Sequence, residues 1–224
     1  GFRVEGLVII GPPNALISGP VAVDVGRSGR VVVDHELIVQ RDLVNHGTVQ
    51  VSNSLYVGRL VLSGGRLDVM SSGQVKLVAV VAHAPSYVVL NGSALIEVAL
   101  ANAVDGWVLA NTTLVGSGTV NCNIVRVSQT ASVDLSSRHV NSLGSVLAFT
   151  GSLFIESNAT VWFQLERSRV KRKLVVDAVG QFCGNVTVIF DSASALLHVG
   201  QSIVLATLGS TRPTCNPQLS AHNA

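Results

Sequence analysis

Cleaving a glycosidic bond takes two carboxyl groups facing each other across it, and with 13 Asp and Glu in 224 residues the places to look for such a pair are few. The densest is Asp34-His35-Glu36, with Asp42 a short step further along. If this stretch is extended, alternation puts Asp34 and Glu36 on one face and His35 on the other. An active site would need a second acid pair, or a Lys or Arg stacked on the acids from neighbouring backbone, and the sequence identifies neither. The cluster reads as an exposed strand face beside a turn, and no catalytic residue is expected.

Other chemistry finds as little support. His35, His46, His83, His139, His198 and His222 show neither His-x-His nor His-Glu-x-x-His spacing, so no metal site and no cofactor are expected. Gly116-Ser-Gly118 and Ser63-Gly-Gly65 do not continue to Gly-Lys-Ser/Thr and read as turns rather than phosphate loops. Gly151-Ser-Leu-Phe-Ile155 lacks the Gly-x-Ser-x-Gly elbow of a hydrolase nucleophile.

Three cysteines fit neither a metal site nor a dense disulfide framework. Cys183 and Cys215 can pair, which would clip the Pro-rich tail Arg212 to Pro217 onto the last strands and leave Cys122 free or bonded to another chain; the alternative is three buried thiols. Four sequons, at Asn91, Asn111, Asn158 and Asn185, are candidates for N-linked glycans and so for a eukaryotic secretory route. Arg167-Ser-Arg-Val-Lys-Arg-Lys173 is the one strongly basic run, read as a solvated loop ahead of a strand. An acidic glycan or a membrane surface is the alternative contact for it.

Composition narrows the class. Charged residues make up 12% of the chain, against about 25% in a typical soluble protein, and hydrophobic residues 48%. The surface must be poor in charge, so solubility rests on Ser, Thr, Asn and Gly, on sugar, or on coverage by other protein. A net charge of +2 lacks the basic excess that neutralising many phosphates requires, and no nucleic-acid partner is expected. No membrane span is expected either, because the uncharged run ending at Ile155 is broken by Asn141, Ser142, Gly144, Ser145, Thr150, Gly151 and Ser152. Beginning at Gly1 rather than Met, the chain reads as a processed product or a piece of something longer.

The elements that would carry these residues are short strands. Val, Leu or Ile alternates with small or polar residues in phrases such as Val31-Val-Val33, Thr48-Val-Gln-Val51, Arg66-Leu-Asp-Val69, Gln74-Val-Lys-Leu77 and Ile124-Val-Arg-Val127. That is the period of a strand with one buried face. Clusters of Gly, Ser and Asn between the phrases supply corners. Gly47-Thr-Val, Gly65-Arg-Leu and Gly118-Thr-Val read as equivalent phrases of a degenerate repeat near the lower end of solenoid lengths. Ser93 to Asp105, without Gly or Pro, is assigned as strand in preference to a short helix. Six of the ten aromatics, Phe149, Phe154, Trp162, Phe163, Phe182 and Phe190, predict a fatter core towards the C-terminus.

From about Leu114 to Leu208 the order of phrases resembles the C-terminal repeat region of autotransporter passenger domains, the bacterial β-helical adhesins. The matching pieces include Leu114-Val-Gly-Ser-Gly-Thr-Val120, Val125 to Leu135, Leu147 to Ile155, Asn158 to Leu165, Lys173 to Gly180 and Gly200-Gln-Ser-Ile-Val-Leu205. The resemblance implies a right-handed parallel β-helix whose last coils nucleate folding and whose function is surface display. The chain departs from that family in lacking an outer-membrane barrel and in carrying cysteines and sequons.

Together these readings predict an all-β, right-handed parallel β-helical solenoid: one domain over residues 1–212 and an irregular tail over 213–224. The expected role is an extracellular or cell-surface structural or adhesive glycoprotein segment, not an enzyme. Its expected partners are other copies or domains of the same assembly. The alternative is a carbohydrate-binding or carbohydrate-cleaving β-helix protein.

Overall fold

The computed structural model describes residues 1–99, 106–136, 146–166, 169–190, 202–211, 215 and 217–223. Alternation of apolar and polar residues makes strands throughout, and among the described residues there is no helix. Strands come in successive groups of three. The first group is β1 (Phe2–Val4), β2 (Leu7–Ile10) and β3 (Ala15–Ile17). Next come β4 (Val23–Val25), β5 (Arg30–Val33) and the first half of β6 (Glu36–Asn45). The second half of β6 is followed by β7 (Thr48–Val51) and the first half of β8 (Ser54–Ser63), and the second half of β8 by β9 (Arg66–Val69) and the start of β10 (Gln74–Ala84).

The pattern continues with β11 (Ser86–Leu90) and β12 (Leu95–Val98), then β13 (Trp107–Leu109), β14 (Thr112–Gly116) and β15 (Gly118–Asn121). It goes on through β16 (Ile124–Val127), β17 (Ser132–Asp134) and β18 (Val146–Phe149), then β19 (Ser152–Ile155), β20 (Thr160–Glu166) and, after the two-residue β21 (Arg169–Val170), β22 (Lys173–Phe182). Last are β23 (Asn185–Phe190), β24 (Ala206–Thr211) and β25 (Gln218–Asn223).

Each strand pairs in parallel with its counterpart in the next group, and the only antiparallel pair among the described residues joins β20 to β21. The middle strands form one sheet in the order β2-β5-β7-β9-β11-β14-β17-β20-β23-β25. The first and third strands of the groups form two further columns, joined into one sheet because β6, β8, β10 and β22 bend and contribute to both. At the bend of β6 the register with β8 shifts between Val39 and Asp42, the mark of a bulge.

Register fixes which side chains face in. Val31, Val49, Leu67, Val88, Leu114, Val133 and Val161 stack as one buried row of the middle column. Leu37, Leu55, Val75, Ile96, Val120, Phe149 and Val176 form the matching row of the third-strand column. A one-residue slip would turn either row to solvent. Among these apolar rows sits Asn45, fully buried, whose Nδ2 donates to the Arg66 carbonyl at 3.0 Å while its Oδ1 accepts from Gly47 N–H at 3.1 Å. It ties one corner to the next.

The corners before the middle column are as tight as the rows. A Cβ on Gly47 would lie 2.2 Å from the Gly29 carbonyl oxygen and 2.3 Å from that of Gly26. Gly47 and Gly65 are equivalent, since Thr48 and Arg66 are register partners. Gly118 is not: β15 belongs to the third-strand column, beside β12 and β18. Every group turns several corners and glycine serves more than one kind, so phrases of similar spelling occupy different columns.

Three further expectations are corrected or narrowed. The tail from 213 is not wholly irregular, because β25 pairs in register with β23 along Asn185–Phe190; an open parallel edge leaves backbone groups for an adjacent segment to satisfy. Within Ser93 to Asp105 the strand is β12, and residues 100–105 lie outside the described residues. Of the six C-terminal aromatics only Phe149 and Phe163 are fully buried. Alternation turns Phe154 and Trp162 outward, where the Arg126 guanidinium stacks 5.0 Å from the Phe154 ring centroid.

Gly47→Ala is expected to destabilise the fold by about 1–3 kcal/mol through the clash with fixed carbonyls, seen as a lower urea midpoint. Gly6→Ala, where nothing stands within 4 Å of the added carbon, should stay within about 0.5 kcal/mol of the parent.

Candidate functional site

The acid cluster does not assemble. Asp34 and His35 form a turn, with both N–H groups donating to the Ile10 carbonyl at 3.0 and 3.2 Å. The expected alternation across them is therefore absent. Glu36 lies on the outer side of the first half of β6, 3.5 Å from Asn14 Nδ2, while Asp42 lies past the bend in another column. There Arg59 from the next strand grips both oxygens of Asp42, with Nε at 3.0 Å from Oδ1. The contact raises the Arg59 pKa through the hydrogen bond to Asp42 and then through its charge.

Other ion pairs lie along the outer faces. Arg66 reaches Asp68 at 2.7 Å, Lys76 reaches Glu97 at 3.4 Å across adjacent strands, and Lys171 reaches Glu166 at 3.9 Å. Glu5 accepts from Ser28 at 3.0 Å and pairs with Arg3, and these contacts hold its carboxyl below the ordinary range. A general acid needs the opposite, a carboxyl raised by burial or by a second acid. Asp42 and Glu97 are charge partners of residues on neighbouring strands, whereas Asp68 and Glu5 meet an arginine two residues away along the chain.

Histidines are scattered. His46 places Nδ1 2.9 Å from the Ser63 carbonyl and Nε2 3.8 Å from Asp24 Oδ1; His139 and His198 lie outside the described residues. Among the described residues no three His, Cys, Asp or Glu side chains gather into a metal-ligating group. No helix among them is long and apolar enough to cross a membrane.

Cys183 and Cys215 are joined in a disulfide, with Cα atoms 5.2 Å apart. The bridge ties the segment before β25 to the loop that enters β23. Cys122 is buried, its thiol 3.1 Å from the Ile124 carbonyl.

The basic run is not a uniform solvated loop. Arg167 and Ser168 lie outside the described residues, Lys173 is exposed and Lys171 is half-buried, but Arg172 is 1% exposed. Its Nη1 donates to the Leu135 and Ser136 carbonyls at 3.3 and 2.6 Å. Burial lowers its pKa, opposed by the negative charge of Asp134. The side chain closes the end of β17, a role that a count of charges in sequence could not separate from solvation.

The four sequons occupy different settings. Asn91, Asn111 and Asn185 are half-buried, whereas Asn158 is exposed in the turn between β19 and β20 with φ 67°. Sequence reading missed a surface groove of about 280 Å³ at the bend of β6, β8 and β10. Ile38, Tyr56, Lys76 and Val78 wall it beside Gly58, where the backbones of β6 and β8 approach so closely that a Cβ would collide with the Gln40 carbonyl. The available signal was an isolated glycine inside a strand phrase, Leu55-Tyr-Val-Gly-Arg-Leu60. A smaller pocket of about 200 Å³ lies beside Glu97, Asn121 and Cys122.

Comparison with known proteins adds nothing to the geometry. No family model, curated protein or solved structure matches the chain.

Arg172→Ala is expected to destabilise the fold by roughly 3 kcal/mol, because it leaves the Asp134 charge and two carbonyls buried without their cation. Lys173→Ala, at an exposed neighbour, should change stability by less than about 0.5 kcal/mol. Paired chemical denaturation curves check both.

Proposed function

We propose that the chain is a right-handed parallel β-helix serving as a structural or adhesive segment of an extracellular or cell-surface assembly, with other copies or domains of that assembly as its partners. The observation that carries the reading is the character of the stack's ends. At one end β1, β2 and β3 are the outermost strands of the three columns, and among the described residues nothing pairs with their outer edges. Phe2, on the inward row, is 49% exposed there, and Leu7, Ile9 and Leu16, on the outward rows of the end strands, are 61%, 59% and 59% exposed. An apolar end with open backbone edges favours association.

The three edges lie at one end of the stack, so a further three-strand layer would satisfy them together. The opposite end offers β24 and β25 as outer strands, with Leu219 72% exposed. Capping repeats with a polar outer face are what keep solenoids apart, and neither end carries one among the described residues. The charge-poor composition points the same way. So do the paired acids, which favour a structural role for the outer faces over a catalytic one. The phrase-by-phrase resemblance to autotransporter passenger repeats supports the display role and the handedness.

Light scattering on the purified chain should give a mass that rises with concentration above the 23.3 kDa protomer. Phe2→Asp combined with Ile9→Lys should return it to a protomer with its urea midpoint nearly unchanged. A wild-type chain that stays monomeric at every concentration would contradict the proposal.

A further inference from the structure

We infer that, of the four sequons, Asn158 alone is an N-glycosylation site in the folded protein, and that its glycan projects from the side of the stack, clear of both ends. The inference rests on the secretory half of the reading above and adds the site that the sequence left undivided.

Transfer joins the Asn Nδ2 to the anomeric carbon of an oligosaccharide carried on a lipid pyrophosphate. The carbon–oxygen bond to the pyrophosphate breaks, the lipid pyrophosphate leaves, and the amide loses a proton. The transferase reads the hydroxyl two residues on. A usable sequon must therefore offer both groups, and the native fold must leave room for the sugar where the amide points. In three sequons the native fold engages at least one of the two groups.

At Asn91-Gly-Ser93 both are engaged: Nδ2 lies 3.5 Å from the Val69 carbonyl, and the Ser93 hydroxyl donates to the Ser71 carbonyl in the turn one layer below. At Asn111-Thr-Thr113 the Thr113 hydroxyl accepts from Ser132 at 3.1 Å, and Asn111 N–H donates to Thr130 Oγ1 at 3.1 Å. At Asn185-Val-Thr187, Thr187 is buried with its hydroxyl 3.0 Å from Ser220 Oγ. Asn185 itself stands in the outward row between Thr160 and Gln218 of the flanking strands.

Asn158-Ala-Thr160 is different. Among the described residues neither the Asn158 amide nor the Thr160 hydroxyl has a side-chain hydrogen bond, and Asn158, Ser157 and Glu156 are all exposed. Asparagine is among the few non-glycine residues that tolerate the left-handed conformation this turn requires. The turn is pinned on its far side, where Ala159 is buried and its N–H donates to the Glu156 carbonyl at 3.1 Å. The amide is thus presented by a fixed backbone. It belongs to a corner between the first-strand and middle columns, in the body of the stack. A chain glycosylated at Asn91 during synthesis could not close that corner and would be lost from the folded, secreted fraction.

The test is secretion of the chain from cultured insect cells, with glycan occupancy read from the intact mass before and after peptide-N-glycosidase. The expected result is a single glycan mass, lost in Asn158→Gln and in Thr160→Ala, kept in Thr160→Ser, and unchanged in Asn91→Gln. A chain that carries no glycan, or one that keeps its glycan in Asn158→Gln, overturns the assignment. Because the host imposes the secretory route, these results judge the site alone. Light scattering on the same samples judges the assembly reading separately.

Discussion

A parallel strand pair cannot be closed by a two-residue turn; the chain must leave the sheet, travel, and re-enter beside its starting point. Among the described residues that requirement is met without helices. The return path from one strand of the middle column to the next consists of two other strands and three corners, and those strands stack on their own counterparts. One crossover therefore builds two more columns. The corners set the spacing, which is why a carbonyl stands close to where a Gly47 side chain would be, and why a buried Asn45 supplies both a donor and an acceptor between layers.

Stacking in register also governs the outer faces. Side chains of adjacent layers stand opposite one another on parallel strands, so an acid on one layer meets whatever the next layer presents. Here it repeatedly meets a base: Asp42 with Arg59, Glu97 with Lys76. Exposed pairs of this kind contribute little to stability, typically below about 1 kcal/mol. Arg172 is the exception in kind, a cation taken inside to meet Asp134 and two strand-end carbonyls.

Much of this architecture is legible in the sequence, for a physical reason. Period-two alternation is imposed locally by the pleat, so phrases such as Thr48-Val-Gln-Val51 and Arg66-Leu-Asp-Val69 announce their strands and their inward residues. Features that depend on what a neighbouring layer brings were not legible. Asp34 and His35 are drawn into a turn by a carbonyl from the layer below. Gly118 belongs to a different column from the glycines it resembles, and β25 is a strand because β23 leaves an edge for it. The sequons show the same divide: the motif is local, while the engagement of Ser93, Thr113 and Thr187 is made by adjacent strands. The groove over Gly58 left only a faint trace, one glycine inside a strand phrase.

The whole stack depends on parallel, in-register pairing of Arg30, Thr48 and Arg66 along the middle column. Nuclear Overhauser contacts on isotope-labelled protein test it most directly. Parallel pairing predicts amide-to-Hα contacts linking each of these residues to the next layer, with no close Hα-to-Hα contacts between the strands. Strong Hα-to-Hα contacts between β5 and β7 or between β7 and β9, the signature of antiparallel neighbours, would contradict it.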